Sequence, residues 1–414
     1  ASSGMAMAHW EIQGWMILIL GWVFVPFYTR SMVYTMPEFL ERRYNPQSRT
    51  ILSVISLVSY VLTKVAVTVY AGGLVFQQVF GIKELWGIDF FWIAAIGLVV
   101  LTALYTIFGG MKSVLYTSVL QTPILLLGSL IILVLGFKEL GGWDEMMRVC
   151  GAVTVNDYGD TMTNLIRSND DANFPWLGAL IGSAIIGFWY WCTDQFIVQR
   201  VLSGKNEMEA RRGTIFGAYL KLLPVFLFLI PGMIAFALHQ KYIGAGGEGF
   251  LPMLANGTAN ADAAFPTLVA KLLPAGVKGL VVCGILAALM SSLASLFNSS
   301  AMLFTIDFYK RFKPETPEKK LVGIGQIATI VIVVLGILWI PIMRSVGDVL
   351  YTYLQDVQSV LAPGIAAAFL LGICWKRTSA QGGMWGLISG MVIGLTRLGA
   401  KVYYSNAGEV ADST

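Results

Sequence analysis

The run Trp189-Tyr190-Trp191-Cys192-Thr193-Asp194-Gln195-Phe196-Ile197-Val198-Gln199-Arg200 sits in an apolar segment, 174–200, long enough to cross a bilayer. Within it, clustered aromatics are followed by an acid and two amides. Polar side chains are costly in hydrocarbon, so an acid and amides inside a membrane-length stretch mark a working site.

The rest of the chain supports the membrane setting. Hydrophobic residues make up 56% of its 414 positions and charged residues 13%, where a soluble globule carries about 25% charged. Mean hydropathy is +0.71. These values exclude a soluble globule. Apolar runs at 12–30, 50–80, 89–109, 113–138, 174–200, 212–238, 277–306, 321–343, 348–374 and 382–400 read as about ten membrane helices. The alternation of a β-barrel is absent. If the loop after the first full helix is cytoplasmic, the short connections 200–212 and 309–320 carry Arg200, Lys205, Arg211, Arg212, Lys310, Arg311, Lys313, Lys319 and Lys320 inside. The net charge of +4 reflects this loop bias. It says nothing about nucleic acid, which is not an expected partner; composition and run length make the expected partner a lipid bilayer, a plasma or inner membrane crossed many times.

Enzyme chemistry finds no support. Cys150, Cys192, Cys283 and Cys374 have neither disulfide nor metal-ligand spacing, and the histidines are His9 and His239 alone. No Gly-rich phosphate loop follows a strand, and no nucleophile stands at catalytic spacing.

Several polar residues inside the spans need a reason. Glu11 opens a span beside His9 and Trp10, where an acid is expensive unless it accepts hydrogen bonds; it is either an interfacial acid or a substrate acceptor. Lys221 lies nine residues beyond Arg212, roughly 13 Å at 1.5 Å per residue, which disfavours snorkelling and favours an inward role. Gln355 stands in the polar patch Tyr353-Leu354-Gln355-Asp356-Val357-Gln358-Ser359; its amide suits either neighbouring sugar hydroxyls or an interhelical hydrogen bond. Tyr190 and Trp191 offer flat amphipathic faces. Lys64 pairs within the bundle or serves the structure. Ser291 and Ser292, unaided, read as packing hydroxyls as readily as ion ligands.

Four stretches carry a resemblance: Trp189–Arg200 followed by Gly217-Ala218-Tyr219-Leu220-Lys221-Leu222-Leu223-Pro224; Thr35-Met36-Pro37-Glu38-Phe39-Leu40; Tyr105-Thr106-Ile107-Phe108-Gly109-Gly110; and Ala287-Ala288-Leu289-Met290-Ser291-Ser292-Leu293-Ala294-Ser295-Leu296-Phe297-Asn298-Ser299. They resemble the sodium:solute symporter family, and within it the sodium/glucose cotransporter branch, from about residue 2 to about 395. The resemblance implies an all-α membrane protein with a LeuT-like fold of two inverted five-helix repeats. The first would span 1–138 without its leading half-helix. A loop at 139–173 would lie outside, the second repeat would span 174–374, and 375–414 would add a further helix and a tail. It also implies that the sequence is N-terminally truncated relative to the family.

By the same resemblance Glu11, Tyr190, Trp191, Lys221 and Gln355 contact the sugar, Tyr190 is the inner gate, and Trp10 and Tyr351 are outer gates. For Trp10 and Tyr351 a place in the aromatic belt is the competing reading. Three residues before the gate tyrosine, where relatives often carry a side chain that reaches the sugar, stands Gly187. Sodium, the co-transported ion, would be held by the carbonyl of Ala288 and the hydroxyls of Ser291 and Ser292, since Na⁺ prefers oxygen ligands. A second ion site would need an acid and a threonine where the chain has Ser118 and Ala294. The expected activity is therefore symport of a glucose- or galactose-like sugar with one sodium by alternating access. The alternatives are myo-inositol or another polyol, an amino acid or carboxylate, and a non-transporting sensor or sodium-leak channel that keeps the same residues.

Overall fold

Helices carry most of the described chain. Among the described residues the only paired strands are Glu84–Leu85 and Ile88–Asp89, a two-residue antiparallel hairpin. The structure is a computed structural model that describes residues 3–171, 173–254, 257–346 and 350–412. The side chains of Ile12, Tyr105, 107–114, Thr117, 342–346, Tyr351, Thr352, 401–402 and 404–412 lie outside the description.

Eight of the described helical stretches are long and apolar enough to cross a membrane: Gly4–Ser31, Pro46–Phe80, Ser118–Leu140, Trp176–Thr193, Glu207–Gly244, Ala275–Phe312, Glu318–Pro341 and Tyr353–Cys374. Three boundaries differ from the sequence reading. The runs 89–109 and 113–138 form one 51-residue helix, Phe90–Leu140. The Gly-Gly pair at 109–110 lacks the following cap or proline that would end a helix, and Pro123 is accommodated inside. The segment 174–200 is broken at Asp194, whose backbone is extended (φ −77°, ψ 127°) and whose carboxylate caps a new helix, Gln195–Leu202. The last run extends to Ala380–Asp412 and is not among the eight.

Contacts group the chain into two compact units of three segments each. The first comprises Ala1–Ile12, Thr68–Ser183 and Tyr219–Ser295. Its core joins Phe76, Ile132, Leu140, Met146, Met233, Leu238, Leu268 and Val281. The start of the chain is pinned to residues 162–167. Met5 N–H donates to Met162 O at 2.8 Å, His9 Nε2 meets Leu165 O at 2.8 Å, and buried Arg167 reaches Ser3 O. Gly4 (φ +60°) makes this approach feasible, because a Cβ there would lie 2.1 Å from Met162 O.

The second unit comprises Gln13–Val67, Ala184–Ala218 and Leu296–Thr414. Helices Leu350–Cys374 and Ala380–Asp412 meet along a glycine seam: a Cβ on Gly390 would lie 2.6 Å from Gly364 Cα, and one on Gly394 2.3 Å from Val360 O. Without a hydrophobic drive between helices in lipid, such close backbone approach supplies the packing. Deeper in the unit, Lys64 Nζ donates to Asp194 Oδ2. Asp194 Oδ1 accepts from Tyr60 Oη (2.7 Å) and Phe196 N–H (3.0 Å). The ammonium also lies 4.6 Å, 5.0 Å and 4.3 Å from the ring centroids of Tyr60, Tyr190 and Phe196.

Removing one member of a buried pair strands the other charge, at about 3–5 kcal/mol, whereas removing both is near neutral. Lys64→Met and Asp194→Asn should each lower the melting temperature of the detergent-solubilised protein sharply, and the double substitution should restore most of the loss. A loss in the double variant equal to the sum of the two single losses would show that the pair carries no coupling.

Candidate functional site

Lys221 sits where a long helical stretch gives way. Pro224 has no N–H and its ring crowds the carbonyl of Leu220, so helix Glu207–Leu220 ends in a tight turn in which Leu222 N–H donates to Tyr219 O at 3.2 Å. The lysine therefore projects from a helix break. Glu11 comes from a second one: the five-residue helix Ala8–Ile12 lies between the 3₁₀ turns Gly4–Met7 and Gln13–Trp15. Lys221 Nζ donates to Glu11 Oε2 across a sequence separation of 210. Both side chains remain reachable, Lys221 at 24% exposure and Glu11 at 17%. The two residues read as separate substrate contacts thus form an ion pair.

Trp10, on the same short helix, packs edge-on against Phe174 with centroids 6.4 Å apart. Tyr351 falls where the side chain lies outside the described residues, so its outer-gate role has no geometry here.

The residues proposed for sodium lie on helix Ala275–Met302 of the same unit as Glu11 and Lys221. Ser291 is 7% exposed and its hydroxyl lies 2.6 Å from that of Ser118. Ser292 and Ala288 are half-buried. Sequence reasoning counted Ser118 only as a missing acid; the structure makes it the neighbour of the ion candidate. A separation of 173 residues hides that contact from any local pattern.

Tyr190, Trp191 and Gln355 belong to the other unit. Tyr190 and Trp191 lie in a π-helical turn, Phe188–Thr193, with ring centroids 4.9 Å apart and planes at 82°. The Lys64 ammonium lies 5.0 Å from the Tyr190 ring centroid, and Tyr28 Oη ties the turn by donating to Cys192 O at 2.8 Å. Gly187 has a packing reason: a Cβ there would lie 2.8 Å from Gln13 Cβ and 3.2 Å from Gln13 O. The missing side chain reflects close helix contact, which no sequence pattern at Gly187 announces. Gln355 is 6% exposed, and its Oε1 has no hydrogen-bond partner among the described residues. A buried carbonyl oxygen left unpaired costs about 1–3 kcal/mol, so a ligand or water donor is expected there.

Comparison with known proteins adds the context for these groups. A Na⁺-coupled sialic acid symporter, solved in a substrate-bound outward-open state, matches with a TM-score of 0.71 at 21% identity, covering 95% of this chain and 83% of that one. The shared architecture is the LeuT-like, all-α membrane fold. Sodium/myo-inositol cotransporter 2 of Homo sapiens is 37% identical over 411 residues, 96% of this chain and 60% of its own length. Sodium/glucose cotransporter 4 of Mus musculus is 37% identical over 418 residues, 98% of this chain and 60% of its own. The sodium/mannose cotransporter SLC5A10 of Bos taurus is 39% identical over 396 residues, 93% of this chain and 65% of its own. The chain thus spans about 60–65% of the length of these relatives. Residues 1–390 match the sodium:solute symporter family, and the chain is a member of that family, a multi-pass integral membrane protein.

Proposed function

We propose that the protein is a sodium-coupled symporter of a neutral polyhydroxylated solute, a monosaccharide in the first instance, working by alternating access with two inverted repeats at 1–138 and 174–374. The reading rests on the Lys221–Glu11 pair, drawn from two helix breaks and left partly accessible. A hydroxyl entering between them donates to the carboxylate and accepts from the ammonium, so each charge keeps a partner while substrate binds. A substrate carboxylate would instead be repelled by Glu11. Gln355 Oε1, buried and unpartnered, is proposed to accept from a further hydroxyl. Tyr190 and Trp191 are proposed to face the sugar ring, with Tyr190 closing the inner side and Trp10 the outer. The work comes from the sodium gradient, and no bond of the solute is made or broken.

Myo-inositol is the second reading, since a sodium/myo-inositol cotransporter is among the relatives of 37% identity. A cyclitol presents the same alternating donors and acceptors, and Gly187 contributes no side chain that would select one ring over the other.

Lys221→Ala and Gln355→Ala should each raise the half-saturating concentration of sugar uptake about ten- to a hundredfold, the effect of losing one hydrogen bond of about 1–3 kcal/mol in a desolvated site. Combined with Glu11→Gln, Lys221→Ala should cost less than the sum of the two, because the pair acts as a unit. Half-saturation unchanged in both single variants, measured with radiolabelled glucose and myo-inositol in proteoliposomes, would remove these residues from the site.

For the ion, we propose one sodium per solute, held by Ala288 O, Ser291 and Ser292. Ser118 supplies a neutral hydroxyl 2.6 Å from Ser291, and Ala294 is fully buried without a side-chain oxygen to offer. Reversal potentials in proteoliposomes should shift as for a 1:1 ratio. A two-sodium shift would contradict the assignment.

A further inference from the structure

A cavity of about 550 Å³ lies entirely within the first unit, in the segment 239–276. Its size falls in the range of small-molecule sites. It is lined by Gln78 of helix Ala66–Phe80, by the loop 248–253 and by one face of helix Ala264–Leu272. Thr267, Ala270 and Lys271 stand three and four residues apart, so they present that face together.

Three features mark it as built for a ligand. Thr267 is 4% exposed, lines the cavity, and has no hydrogen-bond partner for its hydroxyl among the described residues. Threonines in helices usually bond back to the carbonyl four residues earlier, and this one does not. Lys271 is held in place at one end only: Nζ donates to Phe250 O at 2.8 Å and lies 4.7 Å from the Phe250 ring centroid, which leaves further N–H groups to offer. The loop carrying the opposite wall is fixed from behind, where Leu251 N–H donates to His239 Nδ1 at 3.0 Å. The same ring occupies the space that a Cβ on Gly249 would need, at 2.3 Å.

We propose that this cavity binds a small neutral polyhydroxylated molecule, a monosaccharide or cyclitol, separately from the Glu11–Lys221 pair and without sodium. Each hydroxyl of such a ligand both donates and accepts. The lining matches that requirement: Thr267 and Gln78 do both, Lys271 donates, and the carboxylate of Glu248 accepts. The two charges are of opposite sign, so the cavity favours no net charge on the ligand. Leu251, Pro252 and Met253 add an apolar wall for the C–H face of a ring. The buried group is the neutral hydroxyl, whereas Glu248 and Lys271 are exposed and screened, which favours a polyol over a zwitterion.

The test is equilibrium binding of radiolabelled myo-inositol and of glucose to the purified protein in lipid nanodiscs, in sodium-free choline medium. Saturable binding is expected, with Kd raised about tenfold by Thr267→Val, retained in Thr267→Ser, and unchanged in Lys221→Ala. If Thr267→Val fails to fold, Gln78→Ala at the cavity edge is expected to weaken binding in its place. The proposal is overturned by an absence of sodium-independent binding, by binding that Lys221→Ala abolishes, by binding indifferent to Thr267→Val and Gln78→Ala, or by saturable glycine betaine binding where both polyols fail. Because the site is assayed without sodium or transport, its failure leaves the transport reading standing, and the reverse also holds.

Discussion

A charge carried into hydrocarbon must find a partner there, and three described ion pairs follow that constraint. Lys64 meets Asp194, Arg49 meets Asp307 and Glu41, and Lys221 meets Glu11. The pairs differ in what surrounds them. Around Lys64 and Asp194, at 8% and 3% exposure, a tyrosine hydroxyl, a backbone N–H and three aromatic faces complete the shell. Nothing is left for a solute to exchange with, and the pair serves as a structural clamp. The Lys221–Glu11 pair is the more exposed of the two, at 24% and 17%, and the proposed solute site is built on it.

Pairing alone does not position these groups; interruptions of the helices do. A continuous helix keeps its backbone amides for itself, and its side chains leave at fixed angles. Asp194 ends one helix and caps the next with the same carboxylate that takes the lysine. Pro224 forces the turn that releases Lys221. Such breaks are tolerated at membrane depth only where protein or a water-filled cavity takes up the freed polar groups. The proposed solute site therefore falls at helix breaks for a physical reason.

Class and family were legible in the sequence, because composition and apolar run length act residue by residue and the quoted motifs are contiguous. Lys221, Gln355 and Glu11 stood out for the same local reason, polar groups in apolar runs. Their partners did not. The Lys64–Asp194 and Lys221–Glu11 contacts span 130 and 210 residues, and no periodicity carries information over such distances. Gly187 was read as a missing contact when it is a close approach of two helices. The unbroken Phe90–Leu140 escaped because a Gly-Gly pair weakens a helix without ending it.

The π-helical turns of this chain, among them Leu20–Phe24, Tyr60–Val65, Phe188–Thr193, Val225–Leu229 and Leu303–Tyr309, bear on how the protein tolerates change in length. Each behaves as one residue inserted into an α-helix. One residue corresponds to about 100° of rotation, so everything beyond the turn is re-phased relative to what precedes it. A single-residue deletion in Phe188–Thr193 would restore regular α geometry locally while turning the aromatic pair away from the cation of Lys64. In most helices a one-residue deletion is a defect of register; here the register itself is part of the design, and at Tyr60–Val65, Phe188–Thr193 and Leu303–Tyr309 the helices read as though indexed one notch where they meet charge.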